Sequence, residues 1–288
     1  MTANPTVAAL LAEGAGRLRA CGAGLEPAAT PELDAQLLLA HVLGVPRAQL
    51  HAHPEAVPDT SRAREYRLLL MRRVAGAPLA YLTGRKEFWS LGLTVTPAVL
   101  IPRPETELLV ERALALHPDA TGRGADLGTG SGAVALALAS ERPRWRIVAT
   151  DASAEALAVA RINAAALGLS VEFRHGHWYE PLAGERFELI VSNPPYVAAD
   201  DPALATPALA HEPRAALTPG ADALFCLGEI VRGAPRHLAP GGFLLLEHAP
   251  TQAEAVRSAL VLAGFRHVRS QRDLAGHERV TEGQYDQI

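Results

Sequence analysis

Cysteine is nearly missing from this chain of 288 residues: Cys21 and Cys226 are the only two, and they are far apart. Two such cysteines give no disulfide framework, so a reducing cytoplasm is the expected home. Long hydrophobic runs are also missing; none approaches the ~20 residues needed to span a bilayer, and no membrane association is expected. Met1-Thr2-Ala3-Asn4-Pro5 lacks a basic stretch, which argues against a secretion signal. Positive charge is not in excess. With 27 Lys and Arg against 31 Asp and Glu, the formal net charge is −4, which argues against a protein that holds nucleic acid mainly by its phosphates. Lys86 is the sole lysine, a composition bias from which no function follows. Metal-ligand sets are absent too: His51-x-His53 and His175-x-His177 have no cysteine or carboxylate at ligand spacing. What remains is 49% apolar and 20% charged, the profile of a soluble globular protein, and the length favours about two domains.

Residues 1–75 read as all-helical. A helix runs from Thr6 to Arg19 into the breaker Cys21-Gly22-Ala23-Gly24. Thr30-Pro31-Glu32 starts a second that ends at Gly44, and Asp59-Thr60-Ser61 caps a third, Arg62 to Val74. The third carries Arg62, Arg64, Arg67, Arg72 and Arg73, which nearby acids nearly balance, so a solvated face is expected. From residue 76 the texture changes. Phe88-Trp89 and Leu91 to Val95 suggest a strand pair, and a helix follows from Glu107 to Leu116. After a polar connector at 118–124, strands alternate with helices: Ala125-Asp126-Leu127, Arg146 to Thr150, Val171 to Arg174, Phe187 to Val191 and Phe243 to Glu247 are the strands. Phe265 to Arg269 and a segment near Arg279-Val280-Thr281 close the series. Ser153 and Gly168 bracket a helix over 154–167, residues 197–221 read as a long loop, 222–238 and 251–263 as helices, and Pro240-Gly241-Gly242 as a turn. This alternation implies a mainly parallel sheet covered on both faces.

Two stretches carry chemistry. Asp126-Leu127-Gly128-Thr129-Gly130-Ser131-Gly132 joins the first of these strands to its helix; its glycines let the backbone pass close under a ligand, and the helix start offers free N–H groups. Asp151 closes the next strand, where a carboxylate can accept ribose hydroxyls. Gly128-x-Gly130-x-x-Ala133 also fits a nicotinamide dinucleotide fingerprint, so hydride transfer and methyl transfer both stand. Asp126 before the glycines suits a ligand bearing an amine and a sulfonium and repels a pyrophosphate. Trp178 offers a ring for an adenine, with a core tryptophan as the plain alternative. The second stretch, Asn193-Pro194-Pro195-Tyr196, ends the strand at Phe187 to Val191. Each proline holds its predecessor extended and donates nothing to a sheet. The Asn193 side-chain oxygen and the Pro194 carbonyl then form a rigid pair of acceptors suited to a planar –NH2 group, beside the Tyr196 ring; an ordinary Asn-Pro turn is the alternative.

Joined together, these stretches resemble class I S-adenosylmethionine-dependent methyltransferases acting on amino groups, and more narrowly the peptide chain release factor glutamine methyltransferases of the PrmC/HemK type. The resemblance extends to Pro78-Leu79-Ala80-Tyr81-Leu82-Thr83-Gly84, Ile101-Pro102-Arg103-Pro104-Glu105-Thr106-Glu107, Glu212-Pro213-Arg214-Ala215-Ala216-Leu217 and Asp273-Leu274-Ala275-Gly276. His177 replaces the family's acid before the tryptophan, and Ala249-Pro250-Thr251 follows Glu247 in place of the usual Gly and acid. The resemblance implies a seven-stranded Rossmann-like domain over 118–288, a β-hairpin and helix connector over 76–117, and a substrate-recruiting helical domain over 1–75. It implies that Asp126, Gly128, Thr129, Gly130, Ser131, Gly132, Asp151, Trp178 and Asn193 bind S-adenosylmethionine, leaving S-adenosylhomocysteine as product. Asn193, Pro194, Pro195 and Tyr196 would hold a glutamine side chain, with Asn193, Pro194 and Tyr196 in the catalytic role, and release factors of translation termination would be the partners. The other readings are an amino-methyltransferase for nucleic acid or for a ribosomal protein glutamine, a nicotinamide oxidoreductase, and a cofactor-binding module without activity.

Overall fold

The computed structural model describes residues 4–21, 30–117 and 121–286. The expected breaker at 22–24 and part of the connector at 118–124 lie outside them. Met1–Arg85 with Ala205–His211 forms one compact unit, and Lys86–Leu204 with Glu212–Ile288 forms the other. No described helix is long and apolar enough to cross a membrane.

The first unit holds α1 (Val7–Cys21), α2 (Pro31–Leu43), α3 (Arg47–Ala52), α4 (Thr60–Val74) and α5 (Leu79–Thr83). Local chemistry sets the long ones. Thr30 accepts from the Leu33 N–H, Asp59 accepts from the Arg62 N–H, and Gly44 takes the left-handed conformation (φ 68°) that ends α2. The short helices α3 and α5 are new relative to the sequence reading. Neither is long enough to show a period, but each follows a proline (Pro46, Pro78) and buries a leucine, Leu50 or Leu82. That packing carries the helical unit to Arg85, past the change of texture at 76. Leu10, Leu18, Leu38, Leu39, Tyr66 and Leu70 fill its core. Arg73 is buried against Asp34 at 2.7 Å and also donates to the Ala77 carbonyl at 3.0 Å. Removing one partner strands a buried charge, at a cost of about 3–5 kcal/mol. Arg67 pairs with Glu13 and Arg62 with Glu65, so much of the basic stretch is neutralised inside its own unit.

In the second unit β1 (Arg85–Phe88) and β2 (Leu91–Thr94) form a hairpin turned by Trp89 (φ 51°) and Ser90 (φ 57°). Then come α6 (Glu107–Leu116), β3 (Gly122–Leu127), α7 (Ala133–Glu141), β4 (Trp145–Asp151), α8 (Ala154–Leu167), β5 (Glu172–His175) and β6 (Phe187–Ser192). The short helix α9 (Pro207–Ala210) falls in the segment assigned to the first unit; in the second, α10 (Arg214–Leu217) precedes α11 (Phe225–Gly233), β7 (Leu238–Glu247), α12 (Ala253–Leu262), β8 (Phe265–Arg272) and β9 (Glu278–Tyr285). The strands make one seven-stranded sheet in the order β5-β4-β3-β6-β7-β9-β8, with β9 antiparallel to both neighbours and the rest parallel. The chain winds one way from β3 and the other way from β6, so the topological switch lies between these two strands, at the place where open sheets bind ligands. Apolar cores cover both faces, one including Leu136, Ile147, Leu189 and Leu245, the other Leu127, Ile190, Leu227 and Leu246.

Three local expectations are corrected. The stretch at 197–221 contains α9 and α10 instead of being unbroken loop. The expected helix at 222–238 ends earlier: α11 stops at Gly233, a 3-10 turn spans Ala234–Arg236, and Leu238 already pairs with Phe187. Pro240-Gly241-Gly242 is then an irregularity within β7 rather than a turn before it. A Cβ on Gly242 would lie 2.9 Å from the Ala239 carbonyl and 3.0 Å from the Phe187 carbonyl, so backbone approach demands glycine there.

Candidate active site

The tips of β3 and β6 are tied by the Ser192 hydroxyl, which donates to the Leu127 carbonyl at 2.6 Å. One residue further, the Asn193 Nδ2 donates to Thr106 Oγ1 at 3.1 Å. Thr106 belongs to the Pro104–Thr106 turn that opens α6 and is itself buried. Among the described residues no donor reaches Asn193 Oδ1 or the Pro194 carbonyl. Tyr196 is clamped at both ends: Gln252 Nε2 donates to its carbonyl at 2.9 Å, and its hydroxyl donates to Glu247 Oε1 at 3.0 Å. Burial raises the Tyr196 phenol, so it stays protonated. Glu212, also buried, accepts from the Ile101 N–H at 3.0 Å and pairs with Arg103, which pins the stretch leading to Thr106.

Glu247, at the end of β7, is 1% exposed. Burial pushes its carboxyl up to about 7, against nearby Thr106, the hydrogen bond from Tyr196 and the positive Arg279, which pull it down; Glu105 adds to the rise, and Glu247 Oε2 has no hydrogen-bond partner. Folding therefore raises this group from an ordinary 4.5. Below both values the unfolded and folded states are protonated alike; between them only the folded state holds the proton, so stability falls as pH rises and levels off above about 7. Buried His248 is shifted down by desolvation and acts in the opposite sense near its ordinary 6.5, so a variant comparison isolates the carboxyl. Thermal melts of Glu247→Gln should gain on the wild type as pH goes from 5 to 8, by at most about 3 kcal/mol. A variant that loses ground over that window would refute the raised carboxyl.

The glycine loop lies across the same switch point. Gly128 (φ 73°), Gly130 (φ 56°) and Gly132 (φ 83°) are all left-handed. A Cβ on Gly128 would stand 3.1 Å from the Trp178 ring. Asp126, 2% exposed, turns into the loop and accepts from the Thr129 hydroxyl at 2.6 Å and the Ala135 N–H at 3.2 Å. Burial raises it to about 7 as well. Asp151 Oδ2 accepts from the Gly130 N–H and Oδ1 from the Ser153 N–H, each at 2.8 Å. Each oxygen keeps a second lone pair. Burial raises Asp151 too.

One cleft collects Asp126, Gly128, Thr129, Gly130 and Ser131 with Thr106, Arg103 and Asn193. Asp151 joins it through its bond to Gly130. Trp178 packs against Gly128, its Nε1 3.3 Å from Glu229 Oε2, and Gly132 sits at the start of α7 close to Leu136 and Ala160. His177 is exposed. Pro194, Pro195 and Tyr196 continue from Asn193 and do not line the cleft. Sequence reasoning missed three residues that shape this region: Thr106, Glu247 and buried Asn163, whose amide bridges Thr94 to the Ser131 carbonyl at 2.9 Å. Glu247 carried a signal, an acid ending the apolar run Phe243-Leu244-Leu245-Leu246, and Thr106 lay in the Arg103-Pro104-Glu105-Thr106 stretch that carries the resemblance; Asn163 had none.

This sheet, with a glycine loop and an Asn-Pro-Pro-Tyr tip meeting at its switch point, defines a class I methyltransferase domain. Solved structures agree on the fold. A methyltransferase from Pyrococcus furiosus superposes with a TM-score of 0.53 at 18% identity, covering 78% of this chain and 98% of that one. A 16S rRNA N2 G1207 methyltransferase from T. thermophilus, in complex with AdoMet and guanosine, gives 0.52 at 21% identity, covering 70% and 49%. The family description "Methyltransferase small domain" matches residues 104–227, and "PrmC N-terminal domain" matches 9–84. Release factor glutamine methyltransferases from Bordetella pertussis and Pseudomonas aeruginosa are 51% and 47% identical to this chain, each over 88% of it and 94% and 92% of their own lengths. The chain belongs to the release factor glutamine methyltransferase family, and its cofactor is S-adenosylmethionine. The residues fit that ligand: a buried carboxylate whose ionisation burial opposes, as at Asp126, is stabilised by a positive neighbour.

Proposed function

We propose that this protein transfers a methyl group from S-adenosylmethionine to the side-chain nitrogen of the glutamine in the Gly-Gly-Gln loop of peptide chain release factors. The observation that carries the reading is Asn193, which lines the glycine-loop cleft with its Nδ2 on Thr106; its Oδ1 and the carbonyl of Pro194, next in the chain, are the proposed acceptors. A carboxamide nitrogen is a poor nucleophile because its lone pair is delocalised into the carbonyl. Two acceptors that take its two N–H groups hold it in one orientation, which can contribute several kcal/mol. Asp126, Gly128 to Gly132, Asp151 and Trp178 would hold the cofactor. When bound, it supplies a methyl already activated by a positive sulfur. The Tyr196 ring, locked by Glu247 and Gln252, gives the glutamine side chain a fixed apolar wall. The helical unit, matched by "PrmC N-terminal domain", is proposed to recruit the release factor. The net charge of −4 and the relatives' names favour this acceptor over nucleic acid and over a ribosomal protein. Radiolabelled methyl transfer with purified release factor, DNA, ribosomal RNA and ribosomal proteins tests it. Label is expected in the release factor alone; label in nucleic acid or a ribosomal protein instead would replace the reading.

A further inference from the structure

Strands β8 and β9 are joined by a turn, Asp273 to His277, that is fixed from several sides. The Asp273 carboxylate lies inside it: Oδ1 accepts from the Ala275 N–H at 3.0 Å and the His277 N–H at 2.9 Å, and Oδ2 accepts from Arg279 Nε at 3.0 Å. The Asp273 N–H donates to the His277 carbonyl, the Gly276 N–H to the Asp273 carbonyl, and Arg272 to the Gly276 carbonyl at 2.6 Å. Gly276 takes the left-handed conformation (φ 84°) that lets the chain reverse. Leu274 stands in this turn and, at 110% relative exposure, is the most exposed large apolar side chain among the described residues. A lone exposed leucine is ordinary on a protein surface. This one makes no use of its own fold, yet the turn holds its backbone in one place, which lowers the entropy lost when a partner covers it.

The strand register sets this tip beside the site. Ser192, just before Asn193, pairs with Leu246, and Glu247 pairs with Val280, so the turn projects beyond the carboxyl end of β7, on the same sheet edge as the Asn-Pro-Pro-Tyr tip. β9 lies two strands from β6, ~10 Å at ordinary strand spacing. Arg279 bridges the two places: it bonds Asp273 in the turn, and its positive charge acts on Glu247 and Tyr196. Arg272 and His277, on either side of Leu274, are both exposed, while the turn's one carboxylate is occupied within it. The tip is therefore an apolar point with a basic rim. The acceptor pair proposed above grips a single carboxamide, and recognition of a whole protein needs contact beyond it. We infer that Leu274 is a docking point for the release factor, entering an apolar hollow with an acidic border outside the Gly-Gly-Gln loop. This rests on the substrate reading proposed above.

The test is steady-state methylation of whole release factor by Leu274→Asp, with Leu274→Met as the conservative variant. Leu274→Asp should raise KM for release factor about tenfold or more, the effect of leaving a leucine-sized contact unmade. Its kcat at saturating release factor, its S-adenosylmethionine Kd and its melting temperature should stay close to the wild type, because the side chain touches neither the cleft nor the core. Leu274→Met should restore most of the KM. An unchanged KM in Leu274→Asp, or a loss that falls on kcat or on the cofactor Kd instead, overturns the docking role, and wild-type methylation of release factor in the same assay keeps the substrate reading standing. A wild type that leaves release factor unmethylated overturns both.

Discussion

Asn193→Ala should turn over release factor about 100-fold more slowly than the wild type or worse, while its affinity for S-adenosylmethionine stays close to normal. The reason is the division of labour at the switch point. The proposed cofactor side comprises Asp126, the glycines and Asp151, none of which takes a hydrogen bond from Asn193. Asn193 spends its Nδ2 on Thr106, and its Oδ1 is the proposed acceptor for a substrate N–H. A hundredfold loss corresponds to ~2.7 kcal/mol of transition-state stabilisation, a reasonable value for one well-aimed acceptor. Single-turnover methylation with calorimetric cofactor titration separates the two quantities. Near-normal turnover would remove the acceptor pair from the mechanism; a matching collapse in cofactor affinity would reassign Asn193 to the cofactor.

Asp151→Ala should show the opposite pattern: a cofactor Kd raised about 100-fold or more, with kcat at saturating cofactor much less affected. Asp151 fastens the glycine loop to the end of β4 through the Gly130 and Ser153 N–H groups. Its remaining lone pairs are the proposed acceptors for ribose hydroxyls. Hydrogen bonds to a charged group contribute about 1.5–3 kcal/mol each, so losing the loop anchor and a ribose contact together reaches this range. Isothermal titration with S-adenosylhomocysteine reads it directly. An unchanged Kd would leave Asp151 as a loop clamp with no part in ligand binding.

Features set by neighbours in the chain were legible before the structure. Ser153 accepting from the Ala156 N–H, Gly168 closing α8, and Thr30 opening α2 are all local chemistry, and the alternation of strands and helices sufficed for the parallel sheet. Features set by distant partners were not. The pairing of Leu238 with Phe187 across the Pro240-Gly241-Gly242 irregularity depends on the neighbouring strand. The four-residue helices α9 and α10 are too short to carry a period. At the site, the glycine loop and the Asn-Pro-Pro-Tyr tip were readable because each is a continuous motif. Thr106 and Glu247 matter only because folding brings them to Asn193 and Tyr196, and no spacing in the sequence announces that.

The most direct measurement is a crystal structure of the protein with S-adenosylhomocysteine and a Gly-Gly-Gln peptide. Both N–H groups of the glutamine carboxamide should lie within hydrogen-bonding distance, nitrogen to oxygen ~2.7–3.2 Å, of Asn193 Oδ1 and the Pro194 carbonyl, with the nitrogen facing the cofactor's sulfur. A glutamine bound away from residues 193–196, or an Asn193 turned with its Nδ2 toward the peptide, would contradict the account.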